Sequence, residues 1–404
     1  MGFFSFYSQR NLRKHYSAGS KLNDMEVKNS MEKKKILFKV MQIFMIGVLL
    51  LLKGAAVPVS GEELIEQKPP RVSASSAVLM EAGTGRVLYD KNMHKKRAPA
   101  SLTKMMTGIL ATELGNPAEI VTVSSFGASN KAGQDIGLRR KDQLTLADLT
   151  KAALLVSAND STVAIGEHIG GSEEYFVHLM NMKAKSLGAH NTNFKNTNGY
   201  TEPNHYSTAY DMALIARYGL ANPAFASIVW LNETNIKWLN RDRELTLINS
   251  NRLQRQYEWI TGVKTGTTNA AGKCLAASGE RNGQTLIAVV LNSGNRYDEA
   301  LGLLEYGFSL DKKIFTKGEL LGKLDIAKGK PGLVGVAALE NLSLFLSQEE
   351  KERLEIRIVY DDTILSRFPI EKNKPIGKAI VSLEGEQLAE VTVGVDTIVA
   401  RKLW

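Results

Sequence analysis

The stretch "WITGVKTGTTNAAGKCLAASGERNGQTLIAVVLN", Trp259 to Asn292, holds three strand-like segments, at 259–266, 272–279 and 284–292. Short apolar runs bounded by Gly and Asn read as a three-strand meander. Upstream, "AVLMEAGTGRVLYD" (77–90) reads as a hairpin turning at Gly83 and Gly85. Between these two regions the period changes. Leu102, Met105, Met106, Ile109 and Leu110 recur at helical spacing behind Pro99. Thr145 can cap "LADLTKAALLV", Ser172 can cap "EEYFVHLMNMKAKSL", and Ser207 or Thr208 can cap "AYDMALIARYGL". A last helix spans about 297–309. Strands at both ends with helices between predict an α+β domain, an antiparallel sheet with an inserted helical cluster. From about Lys312, "LEIRIVY", "AIVSLEG" and "EVTVGVD" alternate with turns and predict a small all-β C-terminal domain.

Charge locates an N-terminal segment of a different kind. The net charge of the 404 residues is +9, but residues 1–60 hold ten Lys/Arg against three Asp/Glu. The body is therefore nearly neutral, which argues against a nucleic-acid partner. "MEKKKILFK" from Met31 is a basic lead, "VMQIFMIGVLLLL" (40–52) is apolar, and "GAAVPVSG" follows with small residues. That order reads as a signal peptide or an N-terminal anchor over 31–60. The apolar run is short of the roughly 20 residues a spanning helix needs, which favours the signal. Residues 1–30 read as an upstream extension, with Met25 or Met31 the start, and 61–75 as a linker. Cys274 is the single cysteine, so no internal disulfide forms, and its strand setting reads as a small buried hydrophobe.

Three short motifs bear on chemistry. Ser101 and Lys104 lie three apart, on one helical face. A serine hydroxyl needs a base, and a lysine serves as one only if burial or a neighbouring cation lowers its pKa. Ser157 and Asn159 sit in "SAND", at a break between helical stretches. There Ser157 can relay a proton between Lys104 and a leaving amine, and the Asn159 amide can bind a peptide carbonyl. Lys264, Thr265 and Gly266 fall late in the first meander strand. They offer a cation at the site edge, a hydroxyl, and room for a second chain against the strand. Each motif alone is ordinary helix or strand punctuation. Ser-x-x-Lys, Ser-x-Asn and Lys-Thr-Gly in this order are the trio of penicillin-binding proteins and class A β-lactamases.

From about Ser76 to Phe308 the chain resembles the serine-type D-alanyl-D-alanine carboxypeptidases, low-molecular-mass penicillin-binding proteins. "PASLTKMMT", "LLVSANDSTVAIGEHIGGS", "HYSTAYDMALIARY", "ITGVKTGTTNAAGKCLAAS" and "GLLEYGF" carry the resemblance. The β-rich segment from Lys312 is similar to that family's C-terminal domain. The resemblance implies a catalytic, β-lactamase/transpeptidase-like domain over 76–311 and a β-rich domain over 312–404. It implies Ser101 as acylated nucleophile, Lys104 as general base, and Ser157 and Asn159 as the second motif. Lys264, Thr265 and Gly266 would bind substrate, the N–H groups of Ser101 and Thr267 would form an oxyanion hole, and Arg296 would face the terminal carboxylate. The implied partners are peptidoglycan stem peptides ending in D-Ala-D-Ala, with β-lactams as covalent inhibitors. The implied location is exported: the outer face of the bacterial cytoplasmic membrane, periplasm or cell wall. No metal or other cofactor is implied, and the six histidines include no HExxH. Tyr200 stands where the family usually has leucine, and Glu81 where aspartate is common.

Two rivals remain at this level. A class A β-lactamase would need a carboxylate some way past the second motif to activate the deacylating water. Tyr175 to Thr201 contains no Asp or Glu, and the first acid is Glu202. A non-catalytic peptidoglycan-binding or scaffold protein would lose a motif residue, and none is lost. At the C-terminus "VARKLW", with Arg401, Lys402 and Trp404, offers a start for peripheral membrane contact.

Overall fold

The computed structural model describes residues 68–129 and 133–403, and residues 66–404 fall in one compact unit. The readings on 1–60, residues 61–67 of the linker and Trp404 lie outside the described residues.

Both ends of the first region meet in one antiparallel sheet. Its strands are β1 (Ser76–Glu81), β2 (Val87–Lys91), β3 (Ile260–Thr268), β4 (Gly272–Arg281) and β5 (Gln284–Ser293), in the order β2-β1-β5-β4-β3. Val78 faces Val289 across the β1–β5 pair, and Gly266 faces Cys274 across β3–β4. Alternate side chains go to opposite faces. Val78, Met80, Val263, Ala276, Ile287 and Val289 pack on the helical cluster. Ala77, Leu79, Leu275, Ala277, Ala288 and Val290 pack on the other side with Ala300, Leu303 and Leu304 of a C-terminal helix. Both faces are covered, so "LIAVVL" is apolar without alternation. Each fully buried Leu or Val contributes about 1.5–3 kcal/mol.

The inserted cluster contains α1 (Lys104–Leu114), α2 (Leu146–Leu155), α3 (Asn159–Gly170), α4 (Glu173–Ser186) and α5 (Ala209–Ala221), and α6 (Arg296–Ser309) follows the meander. A 3-10 turn, Ala100–Thr103, leads into α1. The caps lie where short hydroxyl side chains precede apolar periodicity. Thr145 accepts from Asp148 N, Ser172 from Tyr175 N, and Thr208 from Asp211 N. A hairpin at Glu233–Lys237 and Glu244–Ile248 is not evident in the sequence. Its strands are mostly polar, with Ile236 and Leu247 the residues turned into the core.

The C-terminal region is all-β apart from two short helical turns. Its main sheet has β6 (Leu320–Asp325), β7 (Leu333–Ala338), β8 (Leu354–Tyr360), β9 (Pro375–Leu383) and β10 (Glu386–Val395), in the order β6-β7-β10-β9-β8, all antiparallel. Val336, Val381, Val393 and Val395 are fully buried in its core. Arg86, just before β2, donates to Phe345 O and pairs with Glu350, tying this region to the first sheet.

Candidate active site

The three motifs come from three different elements, and one cleft of about 510 Å³ collects them. Ser101, Ser157, Asn159, Thr265, Gly266, Thr267 and Arg296 all line it. Ser101 sits in the 3-10 turn before α1, Ser157 and Asn159 at the break between α2 and α3, and Thr265 to Thr267 on β3.

Lys104 lies one turn on from Ser101 and is fully buried. Its Nζ is 2.9 Å from Ser101 Oγ, 2.7 Å from Asn159 Oδ1 and 2.7 Å from the Asn198 carbonyl oxygen. Burial pushes its pKa well below that of an ordinary lysine, and the charge of Lys264 adds to the effect. A neutral amine has two N–H groups and one lone pair. Asn159 Oδ1 and Asn198 O can only accept, so they take the two hydrogens. The lone pair then faces Ser101, whose O–H donates to it. Burial and two carbonyl-type acceptors thus orient the amine as a base.

Lys264 is buried as well, with its Nζ donating to Thr265 O at 3.2 Å. Its pKa is lowered to about 7, first by burial and then by Arg296. The sequence places this cation at the site edge; the structure corrects that, because the side chain turns inward between β3 and the helical cluster. Its neighbour Thr265 shares a 2.8 Å hydrogen bond with Ser250, which also lines the cleft. Arg296 opens α6 and is half-buried. Its Nη1 donates to Gly266 O and Thr267 Oγ1, both at 2.8 Å, and to Cys274 O at 3.3 Å. Cys274 is buried on β4, as its setting predicts.

Close backbone approach joins the serine turn to its neighbours. A Cβ at Gly266 would stand 3.0 Å from Ser101 N and 3.1 Å from Ala100 Cβ, so the neighbouring turn would have to give by a few tenths of an ångström. The room that Gly266 provides is therefore taken by the Ser101 turn itself. Gly199 is tighter still: its φ is +86°, and a Cβ there would stand 1.9 Å from Ala100 O. Two non-glycine residues also adopt left-handed backbone here, Ala100 (φ 50°) and Ser157 (φ 66°). Such positions cost on the order of 1–3 kcal/mol and persist only where surrounding packing enforces them.

Ser157 lines the cleft but is not among the partners of Lys104 Nζ. A proton relay through it needs substrate in place to bridge the two. Asn159 is held instead by the lysine and by its own N–H, which donates to Gln134 O at 2.7 Å. Behind the serine, His205 Nδ1 accepts from Lys195 N at 3.2 Å, so its Nε2–H is the donor to Thr103 Oγ1 at 2.9 Å. Burial lowers its pKa to about 4, which keeps it neutral. Sequence reading missed Asn198 and Ser250. Asn198 contributes a carbonyl, which every residue type has, so no residue-type signal could have found it.

Known proteins resemble the chain over most of its length. A family profile described as D-alanyl-D-alanine carboxypeptidase matches residues 63–295, and one for the penicillin-binding protein 5 C-terminal domain matches 311–401. The D-alanyl-D-alanine carboxypeptidase DacF of Bacillus subtilis is 36% identical over 331 residues, covering 79% of this chain and 84% of that protein. DacC of Escherichia coli, of the same description, is 34% identical over 350 residues, covering 82% and 85%. Among solved structures, penicillin binding protein 5 from Haemophilus influenzae superposes with a TM-score of 0.61 at 27% identity, covering 83% of this chain and 100% of that one.

Proposed function

Given that the chain belongs to the peptidase S11 family of D-alanyl-D-alanine carboxypeptidases, we propose that its activity runs through an acyl-enzyme on Ser101 with Lys104 as the base. The family acts on D-Ala-D-Ala peptidoglycan substrates and binds β-lactams. The observation that carries the assignment is the buried amine of Lys104, 2.9 Å from the Ser101 hydroxyl and oriented by two acceptors.

In the first step Lys104 Nζ takes the Ser101 proton as Oγ attacks the penultimate D-Ala carbonyl. The N–H groups of Ser101 and Thr267 stabilise the oxyanion; removing one such donor typically costs about 2.7–4 kcal/mol. Thr265, Thr267 and Arg296, which line the cleft, receive the terminal carboxylate, with the buried Lys264 behind them. That carboxylate favours the charged form of Lys264, opposing the burial and the Arg296 charge that lower its pKa to about 7. The cation in turn holds Lys104 neutral. Ser157 returns the proton to the departing D-alanine nitrogen, the acyl C–N bond breaks, and water hydrolyses the ester. No carboxylate lines the cleft among the described residues. Glu202, the first acid past the Tyr175–Thr201 stretch, accepts from Asn196 Nδ2 at 3.3 Å and does not line the cleft. A penicilloyl ester is therefore released slowly.

Incubating diacetyl-Lys-D-Ala-D-Ala with the protein should release free D-alanine, and penicillin should abolish the release while adding its mass to Ser101. An adduct on another residue, or release that survives Ser101→Ala, refutes the assignment.

We further propose that 31–60 is an export signal or tether, that 76–311 is the catalytic domain, and that 312–404 is the β-rich domain. The family's periplasmic or cell-wall location supports the first, and sequencing the N-terminus of the exported protein tests it. Ile398 and Leu403 are exposed beside Arg401 and Lys402, which supports peripheral membrane contact through this edge. Failure to sediment with anionic vesicles would remove that reading.

A further inference from the structure

Two large apolar side chains stand exposed in the wall of the cleft, where apolar surface without a protein partner asks for a ligand. Tyr200 is 54% exposed and Ile248 is 49% exposed, and both line the cleft with Ser101. They come from unrelated elements, Tyr200 from the long loop between α4 and α5 and Ile248 from the end of the Glu244–Ile248 strand.

The backbone under Tyr200 is fixed while its ring stands uncovered. Tyr200 N donates to Asn198 Oδ1 at 2.8 Å, Asn196 Nδ2 donates to Tyr200 O at 3.0 Å, and Gly199 N donates to Asn196 Oδ1 at 2.8 Å. Gly199 is wedged against Ala100, so the turn is keyed to the nucleophile's own backbone. The Tyr200 ring has no ring or hydrogen-bond partner among the described residues. A rigid base carrying an uncovered aromatic loses little entropy when a ligand covers it.

The groups suited to the carboxylate come from β3 and α6, whereas Tyr200 and Ile248 belong to neither element. They are therefore placed for the other half of the substrate, the acyl group that stays on the serine. No carboxylate lines the cleft among the described residues to receive an amine. Building on the acyl-enzyme reading above, we infer that Tyr200 and Ile248 form an apolar grip that determines acyl-donor specificity. The grip favours donors carrying an aromatic or aliphatic group over donors ending in a bare amine.

Benzylpenicillin and 6-aminopenicillanic acid share one bicyclic nucleus and one carboxylate and differ by a phenylacetyl group. Second-order acylation rates of the full chain, read by intact mass, give the ratio between them. Tyr200→Ala should lower that ratio about tenfold, and Tyr200→Phe should restore it, because the ring face and not the hydroxyl makes the contact. A ratio unchanged in Tyr200→Ala, including one in which both rates fall together, overturns the inference and leaves Tyr200 a turn-packing residue. Wild-type protein that neither compound modifies, or modification that survives Ser101→Ala, overturns the catalytic reading and takes the inference with it.

Discussion

In the region that holds Ser101 the chain buries two lysines, three aspartates, a histidine and five asparagines; in the C-terminal sheet, among the described residues, it buries none of these. Among the described residues, every buried polar or charged side chain lies between Ser76 and Ser293. The β6–β10 sheet has a valine-rich core, with its charges on the surface. Backbone conformation divides the same way. In the C-terminal region the non-glycine residues with positive φ are Asn373 and Glu384, both outside the strands. In the first region there are seven among the described residues, and two of them, Ala100 and Ser157, sit beside and within the motifs. Buried amines and left-handed backbone are both costly. The buried amines lie at the cleft, with two of the left-handed residues beside them, whereas the β domain buries no amine and keeps its left-handed residues in turns outside the strands.

The strongest way to break this contrast is to remove the hydroxyl. Ser101→Ala should lower D-alanine release by about ten-thousandfold or more, with the thermal midpoint within a few degrees of wild type. No comparable loss should follow from a surface substitution on β6–β10. A midpoint that collapses with Ser101→Ala would mean that the serine serves the fold.

Glycine gives a second test, since both regions hold glycines in left-handed backbone, and two of them compare directly. Gly199 has φ +86° and a Cβ there would meet Ala100 O at 1.9 Å; Gly385 has φ +83° and nothing within 4 Å. Gly385 follows Glu384 in the two-residue turn between β9 and β10, a hairpin turn of the kind that demands positive φ. Gly385→Ala should cost about 1 kcal/mol in denaturant unfolding with no change in activity. Gly199→Ala adds a clash to the same strain, so about 3 kcal/mol is expected. D-alanine release should also fall about a hundredfold, because the serine turn must move. Equal costs at the two sites would erase the distinction.

Histidine sharpens it further. The protein has none after His205, so the C-terminal sheet has no group of this kind titrating between pH 5.5 and 6.5. His205 has its pKa lowered to about 4 in the fold, against about 6.5 unfolded. The unfolded chain binds more protons in this range, so stability is full above the unfolded value and falls with pH towards the folded one. Going from pH 6.5 to 5.5 should cost about 1 kcal/mol. His205→Gln can still donate to Thr103 and accept from Lys195 N, and should flatten that dependence. Urea midpoints at the two pH values, for both proteins, measure the difference.

Much of this was legible before any coordinates. The meander, the hairpin, the caps at Thr145, Ser172 and Thr208, and the order of the three motifs all follow from residue type and spacing. Other features carry no residue-type signal. The Asn198 carbonyl that fixes Lys104 could belong to any residue. Left-handed φ at Ala100 and Ser157 runs against what alanine and serine prefer, so propensity points away from it. The Glu233–Ile248 hairpin hides because each strand turns a single side chain fully inward. The inward turn of Lys264 is likewise set by tertiary packing, whereas a strand-end lysine read alone belongs in solvent.

The smallest expected effect lies on the β domain, and it tests the quiet half of the contrast. Lys378 on β9 and Glu390 on β10 form an ion pair, with side chains 57% and 45% exposed. Water screens such a pair, and holding two long side chains in one geometry offsets most of the attraction. Glu390→Gln should change stability by less than about 0.5 kcal/mol, and less again at high salt, where the wild-type pair is already weakened. D-alanine release should not change. A cost of several kcal/mol, or a loss of activity, would mean that this sheet is coupled to the cleft through more than its apolar core. The division between a reactive region and a plain support would then have to be redrawn.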